Sequence, residues 1–206
     1  MPKEAMRESL RPRIDDARVK LRSYDPEELV HRGGLTLSGN RLELTLLGTS
    51  YHIQLPNLVA TFTDGTICPE ELQILFLDYL VHGDGTPPSG EWIGFQQLPN
   101  GMFYRKAFQG YSGDQLVHDL GEKIDVFREA AASLGGEPVE LGDAAYAFRV
   151  LPNVPLAVVW WSGDEEFPAN GTVLFDASTS HYLPTDGLAI VGRMLCRKLA
   201  KLGGVQ

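Results

Sequence analysis

The chain has 206 residues, and hydrophobic residues make up 43% of them. This length and apolar content support a folded domain with a real core and exclude a largely disordered chain. The formal net charge of −9 disfavours nucleic acid as a partner, because binding a phosphate backbone depends on Lys and Arg.

The ends and the cysteines add three expectations. Basic residues concentrate in Met1–Arg22, which predicts an amphipathic helix or, as the alternative, an arm that touches an anionic partner. Cys68 and Cys196 form no CxxC pair and are expected to be reduced and buried. Neither a leader nor an apolar run near the roughly 18 residues of a membrane span is seen, so a cytoplasmic protein is expected.

The first half predicts two helices, four short strands and a strongly apolar helix. The first helix covers residues 4–23 and is kinked or split at Pro12, and the second begins at Asp25-Pro26 and ends at Gly33-Gly34. The strands cover residues 35–37, 41–47, 50–55 and 58–63. Their short connections predict an antiparallel meander. The apolar helix runs from Pro69 to the stop at His82-Gly83.

The second half predicts short strands at 92–95 and 102–108 and one helix over 114–134. Strands at 144–151, 156–161 and 172–175 follow, and an amphipathic helix over 186–199 ends the chain. The fold class predicted is α+β, a single domain of mostly antiparallel sheet with helices packed against it. Residues 1–24 are predicted as a helical arm, and residues 25–206 as the domain.

A polar cluster lies near the end of the stretch 156–186. Asp176, His181 and Asp186 combine a histidine with two carboxylates, which suits a metal site or an acid–base pair. In the structural alternative, Asp176 caps the turn at 177–179, Asp186 caps the last helix, and His181 is bonded locally.

Two weaker polar groups have equally concrete alternatives. The run Asp164-Glu165-Glu166 offers oxygen ligands for a hard cation, although it lacks the spacing of a calcium loop, and a solvated acidic turn is the alternative. His82, near Asp84, follows the apolar helix, and a histidine that complements the helix dipole is the alternative to a site residue.

Aromatic residues suggest a pocket between the segments 92–111 and 156–186. They would line a space for a large flat ligand or, in the alternative, seal the core. The candidates are Trp92, Phe95, Tyr104, Trp160 and Trp161.

Three stretches carry a family resemblance: LDYLVHGDGTPPSGEWIGFQQLPNG, WWSGDEEFPANGTVLFD and HYLPTDGLAIVG. Together they resemble a family of uncharacterised prokaryotic proteins catalogued as domain of unknown function 3786, over roughly Asp25 to the C-terminus. The resemblance implies an origin in anaerobes, in which members of this family are largely found. Some members are joined to an iron–sulphur segment that this chain lacks. The resemblance implies no catalytic residues, and it favours a role near metal or tetrapyrrole cofactors of anaerobic metabolism.

Three hypotheses follow. The first is a binding or accessory protein for a tetrapyrrole or metal centre, with His181 as the candidate ligand. The second is a metal-assisted hydrolase that uses Asp176, His181 and Asp186. The third is a ligand-free module that binds a protein partner. Neither a GxSxG elbow nor a Gly-rich phosphate loop occurs in the sequence.

Overall fold

Helices and two antiparallel sheets alternate along the chain in a computed structural model, which describes the backbone of residues 2–204 and the side chains of residues 10–204. Met1, Val205 and Gln206, which the ranges 1–24 and 25–206 include, lie outside the described residues. The chain forms two compact units. Unit 1 comprises the residues up to Pro87 with Leu151–Asn153 and His181–Pro184, and unit 2 comprises Pro88–Val150, Val154–Ser180 and the residues from Thr185 onward.

The sheet of unit 1 is the predicted meander. Its strands pair antiparallel in chain order: β1 (Thr36–Ser38), β2 (Arg41–Leu46), β3 (Thr49–Gln54) and β4 (Val59–Phe62). Leu42, Leu44 and Leu46 alternate along β2 and are buried, and Ile53 and Tyr51 of β3 lie opposite the first two. These cross-strand apolar pairs fix the register, because a slip of one residue would turn the leucines to solvent.

Three helices complete unit 1: α1 (Pro2–Leu21), α2 (Pro26–Gly33) and α3 (Glu70–His82). Helix α1 continues through Pro12 as one helix instead of two. It packs against α3, and its Ile14 and Ala17 are buried. Asp25 caps α2 as predicted, since its side chain accepts a hydrogen bond from the Glu27 amide.

The second sheet is built around β8. Its strands are β5 (Trp92–Gly94), β6 (Glu137–Pro138), β7 (Ala144–Leu151), β8 (Val154–Trp161) and β9 (Asn170–Asp176), in the order β5-β9-β8-β7-β6. Residues 156–160 of β8 are all buried. A central strand that is covered on both faces has no polar side to alternate with, which explains its continuous apolar sequence.

The helices of unit 2 correct two predictions. They are α4 (Gly101–Tyr111), α5 (Gly113–Asp119), α6 (Ile124–Ser133) and α7 (Thr185–Leu202). The strand predicted at 102–108 is wrong, because Gly101 and Phe108, the buried positions of this segment, are two helical turns apart. The helix predicted over 114–134 is divided into α5 and α6, because Gly121 and Glu122 take φ values of +61° and +60°.

The α+β class with antiparallel sheets is therefore confirmed. The arm boundary after residue 24 stays a prediction. Among the described residues, none of the helices combines the length and the hydropathy needed to cross a bilayer.

Candidate functional site

His181 of unit 1 pairs with a carboxylate 97 residues earlier in the chain. Its Nδ1 lies 2.7 Å from Oδ2 of Asp84 and 3.4 Å from Oγ1 of Thr86. The two partners of the pair are 47% and 44% exposed. Because Nδ1 faces Asp84, the other ring nitrogen, Nε2, is left for a proton or a ligand from outside the described residues.

The carboxylate of this pair is fixed by its own loop. The Thr86 amide donates to Oδ1 of Asp84 over 2.9 Å. Hydrogen bonds from Thr86, and then from His181, hold the pKa of Asp84 at about 2, below its ordinary value. The Tyr182 hydroxyl donates to the Thr86 carbonyl over 2.5 Å and anchors the same loop. Asp84 is therefore an ionised, positioned partner for His181 at neutral pH.

The carboxylate of Asp176 connects two loops of unit 2 through hydrogen bonds. The side chain is buried and accepts five hydrogen bonds, from the amides of Ser89, Gly90 and Ser178 and from both serine hydroxyls. Burial alone would raise its pKa, but the bonds from Ser178 and Ser89 outweigh it, so the pKa of Asp176 is lowered. The predicted cap of the turn at 177–179 is confirmed, and the same carboxylate also holds the loop at Ser89 and Gly90.

His82 and Asp186 lie at helix ends. His82 ends α3, and its Nδ1 is 2.9 Å from the Asp78 carbonyl of the preceding turn. Asp186 lies within the first turn of α7, which begins at Thr185, and so does not occupy the capping position predicted for it. Both positions complement the helix dipole when the side chains are charged.

The acidic run forms an exposed turn. Oδ1 of Asp164 accepts hydrogen bonds from the amides of Glu166 and Phe167, each over 2.8 Å. These bonds lower the pKa of Asp164. Glu165 and Glu166 are exposed. Within the described residues, no group of three or more His, Cys, Asp or Glu side chains is placed to hold a metal ion.

The predicted aromatic residues differ widely in burial. Trp160 is fully buried and stacks on Phe127 with a centroid distance of 5.3 Å, and its indole N–H has no hydrogen-bond partner among the described residues. Trp92 is half-buried in β5. Trp161 and Tyr104 are 40% and 65% exposed. These four residues are not among those that line the cavity described next.

A cavity of about 370 Å³ opens in unit 2 between α4 and β9, which belong to the two segments predicted to enclose a pocket. Its floor contains the buried rings of Phe95 and Phe108, which stack with a centroid distance of 4.2 Å and an interplanar angle of 15°. The lining residues are Phe95, Gln96, Arg105, Lys106, Phe108, Gln109, Asp114, Thr172 and Val173. The cavity thus has an apolar floor and polar walls.

Gln109 fixes the polar wall. Its Nε2 donates to Oδ1 of Asp114 over 2.6 Å and to the Gly171 carbonyl over 2.7 Å. Its Oε1 accepts from the Thr172 hydroxyl over 3.3 Å. Gly113 allows this close approach of α5 to β9, because an added Cβ would lie 2.0 Å from the Gly171 carbonyl oxygen. The wall is therefore preformed.

The two cations at the cavity are available to a ligand. Arg105 and Lys106 are both exposed. Among the described side chains, neither makes a hydrogen bond or an ion pair with a carboxylate. Asp114, the one acid of the lining, is already engaged by Gln109. The cavity consequently favours an anion over a cation.

Sequence reasoning missed most of these functional candidates. The pairing of Asp84 with His181 has no local signal, since the two residues are far apart in the chain. Gln109 follows the segment 102–108, and its place on the cavity side of α4 was missed because that segment was predicted as a strand. Thr172 lies in the strand predicted at 172–175 and has no local signal of its own. A helical reading of the segment 102–108 would have placed Arg105, Phe108 and Gln109 on one side of α4.

Comparison with known protein families identifies a match over most of the chain. The sequence matches the family described as a domain of unknown function, DUF3786, over residues 25–198. No curated protein and no solved structure matches the chain.

Proposed function

This chain belongs to the DUF3786 family, a domain of unknown function, and we propose its role from its own side chains. It is a binding or accessory protein for a small anionic ligand with a flat apolar part. The observation that carries this proposal is the cavity of unit 2, in which two cations without carboxylate partners among the described side chains stand beside a floor of stacked phenyl rings. The ligand we expect is a carboxylate or phosphate attached to a ring system.

The cavity has the size and the chemistry of a ligand site. Its volume of about 370 Å³ lies at the lower end of the roughly 300–1,000 Å³ that such sites occupy. The guanidinium of Arg105 binds carboxylate and phosphate through two parallel hydrogen bonds, and Lys106 adds a second charge. Phe95 and Phe108 offer apolar contact to the ring of a ligand. Both kinds of contact are needed at once, which favours amphipathic anions over inorganic ones.

A tetrapyrrole is one member of this ligand class, since it combines a flat macrocycle with carboxylates. The fit is partial. Among the described residues that line the cavity there is no His, Cys or Met, so the lining offers a macrocycle carboxylate contacts and a flat floor but no axial ligand for its metal. The axial role predicted for His181, the metal centre and the link to anaerobic metabolism stay proposals.

The test is a fluorescence titration with anilinonaphthalene sulfonate, a flat anion, alongside its uncharged parent anilinonaphthalene. The wild type is expected to bind the anion more tightly than the parent. The double variant Arg105→Glu, Lys106→Glu should lose at least about ten-fold in affinity for the anion, because charged hydrogen bonds contribute about 1.5–3 kcal/mol each. Its affinity for the parent should change little.

A matched control uses two exposed cations of α7 that do not line the cavity. Arg197→Glu, Lys201→Glu carries the same change in net charge, so it reports any general electrostatic effect. Equal loss in both double variants, or equal affinity of the wild type for the charged and uncharged probes, would contradict the proposal.

A catalytic role is the second candidate, and the pair of His181 and Asp84 favours it. A histidine whose Nδ1 is held 2.7 Å from an ionised carboxylate is oriented to take a proton at Nε2. The hydrolase alternative then uses Asp84 as the partner of His181, since the carboxylate of Asp176 is already occupied by five hydrogen bonds.

Hydrolysis of nitrophenyl ester and phosphodiester substrates should fall in both His181→Ala and Asp84→Asn. His118→Ala is the control, because His118 is 84% exposed and 3.4 Å from its neighbour Asp119. Hydrolysis that is unchanged in His181→Ala would contradict the catalytic role.

A further inference from the structure

The polar wall of the cavity is formed by Gln109, Asp114 and Thr172, and its side-chain hydrogens are all in use. Gln109 has two amide hydrogens on Nε2, of which one is donated to Oδ1 of Asp114 and the other to the Gly171 carbonyl. The hydroxyl of Thr172 has a single hydrogen, which it donates to Oε1 of Gln109. A ligand in the cavity therefore meets no side-chain donor on this wall.

The same wall has three oxygen atoms that can accept further hydrogen bonds. Oδ2 of Asp114 has no partner among the described residues, because the hydrogen bond from Gln109 is made to Oδ1. Oε1 of Gln109 accepts one hydrogen bond and has a second lone pair, and the Thr172 oxygen keeps its own lone pairs. The wall is therefore complementary to a ligand group that donates hydrogen bonds.

The neighbours of Gln109 prevent its amide from presenting donors instead. If the amide turned over, Oε1 would face the Asp114 carboxylate and the Gly171 carbonyl, and three acceptors would lie together with no hydrogen between them. Gln96 also lines the cavity, but its exposed amide makes no hydrogen bond within the described part of the chain and can present either end. The acceptor character of the wall is thus fixed by its own contacts.

Cations and acceptors lie on different residues of the cavity lining. Arg105 is four residues before Gln109 on α4, which is about one helical turn, or about 5.4 Å along the axis. The ring of Phe108 belongs to the floor and lies in the same turn of the sequence. A flat ligand on this floor can therefore reach a cation with one substituent and the acceptor wall with another.

We propose that the ligand is an aromatic acid whose ring also carries an N–H or O–H donor, such as an amino or hydroxyl group. The acid group binds Arg105 and Lys106, and the ring donor binds Oδ2 of Asp114. This ligand class rests on the proposed function and narrows it from flat anions in general to those that carry a donor. An anion whose ring has only acceptors would place a lone pair against the Asp114 carboxylate and bind more weakly.

The experiment is isothermal titration calorimetry of the full chain with three naphthalene sulfonates that share their ring system and charge. Aminonaphthalene sulfonate carries an N–H donor, dimethylaminonaphthalene sulfonate carries only an acceptor, and naphthalene sulfonate carries neither. The wild type is expected to bind the amino compound about five- to ten-fold more tightly than either of the others. A hydrogen bond to a carboxylate is stronger than one between neutral groups, while the exposure of Asp114 lets water compete with it.

Asp114→Asn tests the wall itself. The asparagine oxygen can still accept from Gln109, and its amide then presents an N–H group to the ligand in place of an oxygen. The preference for the amino over the dimethylamino compound should fall to about two-fold or less. The ratio of the two affinities is the readout, because the loss of a negative charge raises the affinity for every sulfonate alike.

Asp119→Asn is the matched control. Asp119 belongs to the same helix, α5, and accepts a hydrogen bond from a glutamine, Gln115, over 2.7 Å, but it does not line the cavity. This variant carries the same change in net charge, so its ratio of affinities should equal that of the wild type. Circular dichroism of each variant checks that it is folded.

The possible outcomes distinguish the donor requirement from the anion site. Equal binding of the three sulfonates, or a wild-type ratio in Asp114→Asn, overturns the donor requirement, and the anion site stands if binding is still lost in Arg105→Glu, Lys106→Glu. A preference for the amino compound that this double variant leaves undiminished in affinity overturns the anion site and supports the donor requirement. Absence of binding by all three sulfonates overturns both.

Discussion

Removal of the Asp176 carboxylate is expected to destabilise unit 2 strongly. In Asp176→Ala, five donors lose their acceptor. The donor groups of Ser89 and Gly90 are on exposed residues, so hydrogen bonds to water can replace the lost bonds. The amide and hydroxyl of Ser178 are on a buried residue, and each unpaired buried donor costs about 1–3 kcal/mol. The free energy of unfolding should therefore fall by about 2–6 kcal/mol.

Urea unfolding followed by far-ultraviolet circular dichroism measures this loss, because the midpoint shifts while the slope stays constant if only stability changes. Asp164→Ala is the matched control. Asp164 makes the same bond to the amide two residues ahead, but in an exposed turn where water replaces it, so its effect should be much smaller. Equal losses in the two variants would refute the argument that burial makes the bonds of Asp176 important.

The same carboxylate gives a pH dependence of known sign. Its pKa in the folded state lies below the unfolded value of about 3.9. The stabilisation by Asp176 is therefore complete above about pH 4 and is lost as the pH falls through the folded-state pKa. Asp176→Ala should flatten the stability profile in that acidic range. A profile identical to that of the wild type would show that Asp176 is not the group responsible.

Three further predictions use other buried or positioned groups. Tyr79→Phe should lower the free energy of unfolding by about 1–3 kcal/mol in urea titrations, because the buried hydroxyl lies between two backbone groups; no loss would mean that neither bond matters. Gly113→Ala should lower the thermal midpoint, since its Cβ would clash with the Gly171 carbonyl, whereas Gly110→Ala in open helix surface should be neutral or gain up to about 1 kcal/mol. The reverse order would contradict the packing described. In a carboxyl-carbon nuclear magnetic resonance titration, Asp84 should titrate near pH 2. Because its folded pKa is depressed, its contribution to stability is present above about pH 4 and is lost towards pH 2; titration at the ordinary value would contradict the loop geometry.

Local sequence signals predicted the elements that are fixed by local chemistry. The alternation of Leu42, Leu44 and Leu46 is enough to define a half-buried strand, and the short turns define the meander. Asp176 was recognised as a cap, because a carboxylate two residues before an amide makes a common turn. These features do not depend on distant parts of the chain.

The errors arose where spacing was ambiguous or the partner was distant. Residues 102–108 are mixed apolar and basic, and their weak alternation favoured a strand, whereas burial of Phe108 two turns after Gly101 makes a helix. Because that helix forms one side of the cavity, the sequence predicted the two segments that enclose the cavity and not the helical side chains that line it. Asp84 as the partner of His181 depends on the tertiary fold alone. No spacing rule could have joined them.

The division of unit 1 into three stretches of chain has a consequence during synthesis. Its first stretch ends at Pro87, and its last, His181–Pro184, leaves the ribosome only after most of unit 2 has been translated. The buried ring of Tyr182 stacks on Tyr79 at a centroid distance of 5.4 Å, so Tyr79 is without this neighbour until residue 182 has been translated. Domains ordinarily fold in order from the N-terminus as they emerge. In this chain unit 1 is completed only by residues 181–184, which follow most of unit 2, and a chain terminated before residue 181 would expose an incomplete core to chaperones and proteases.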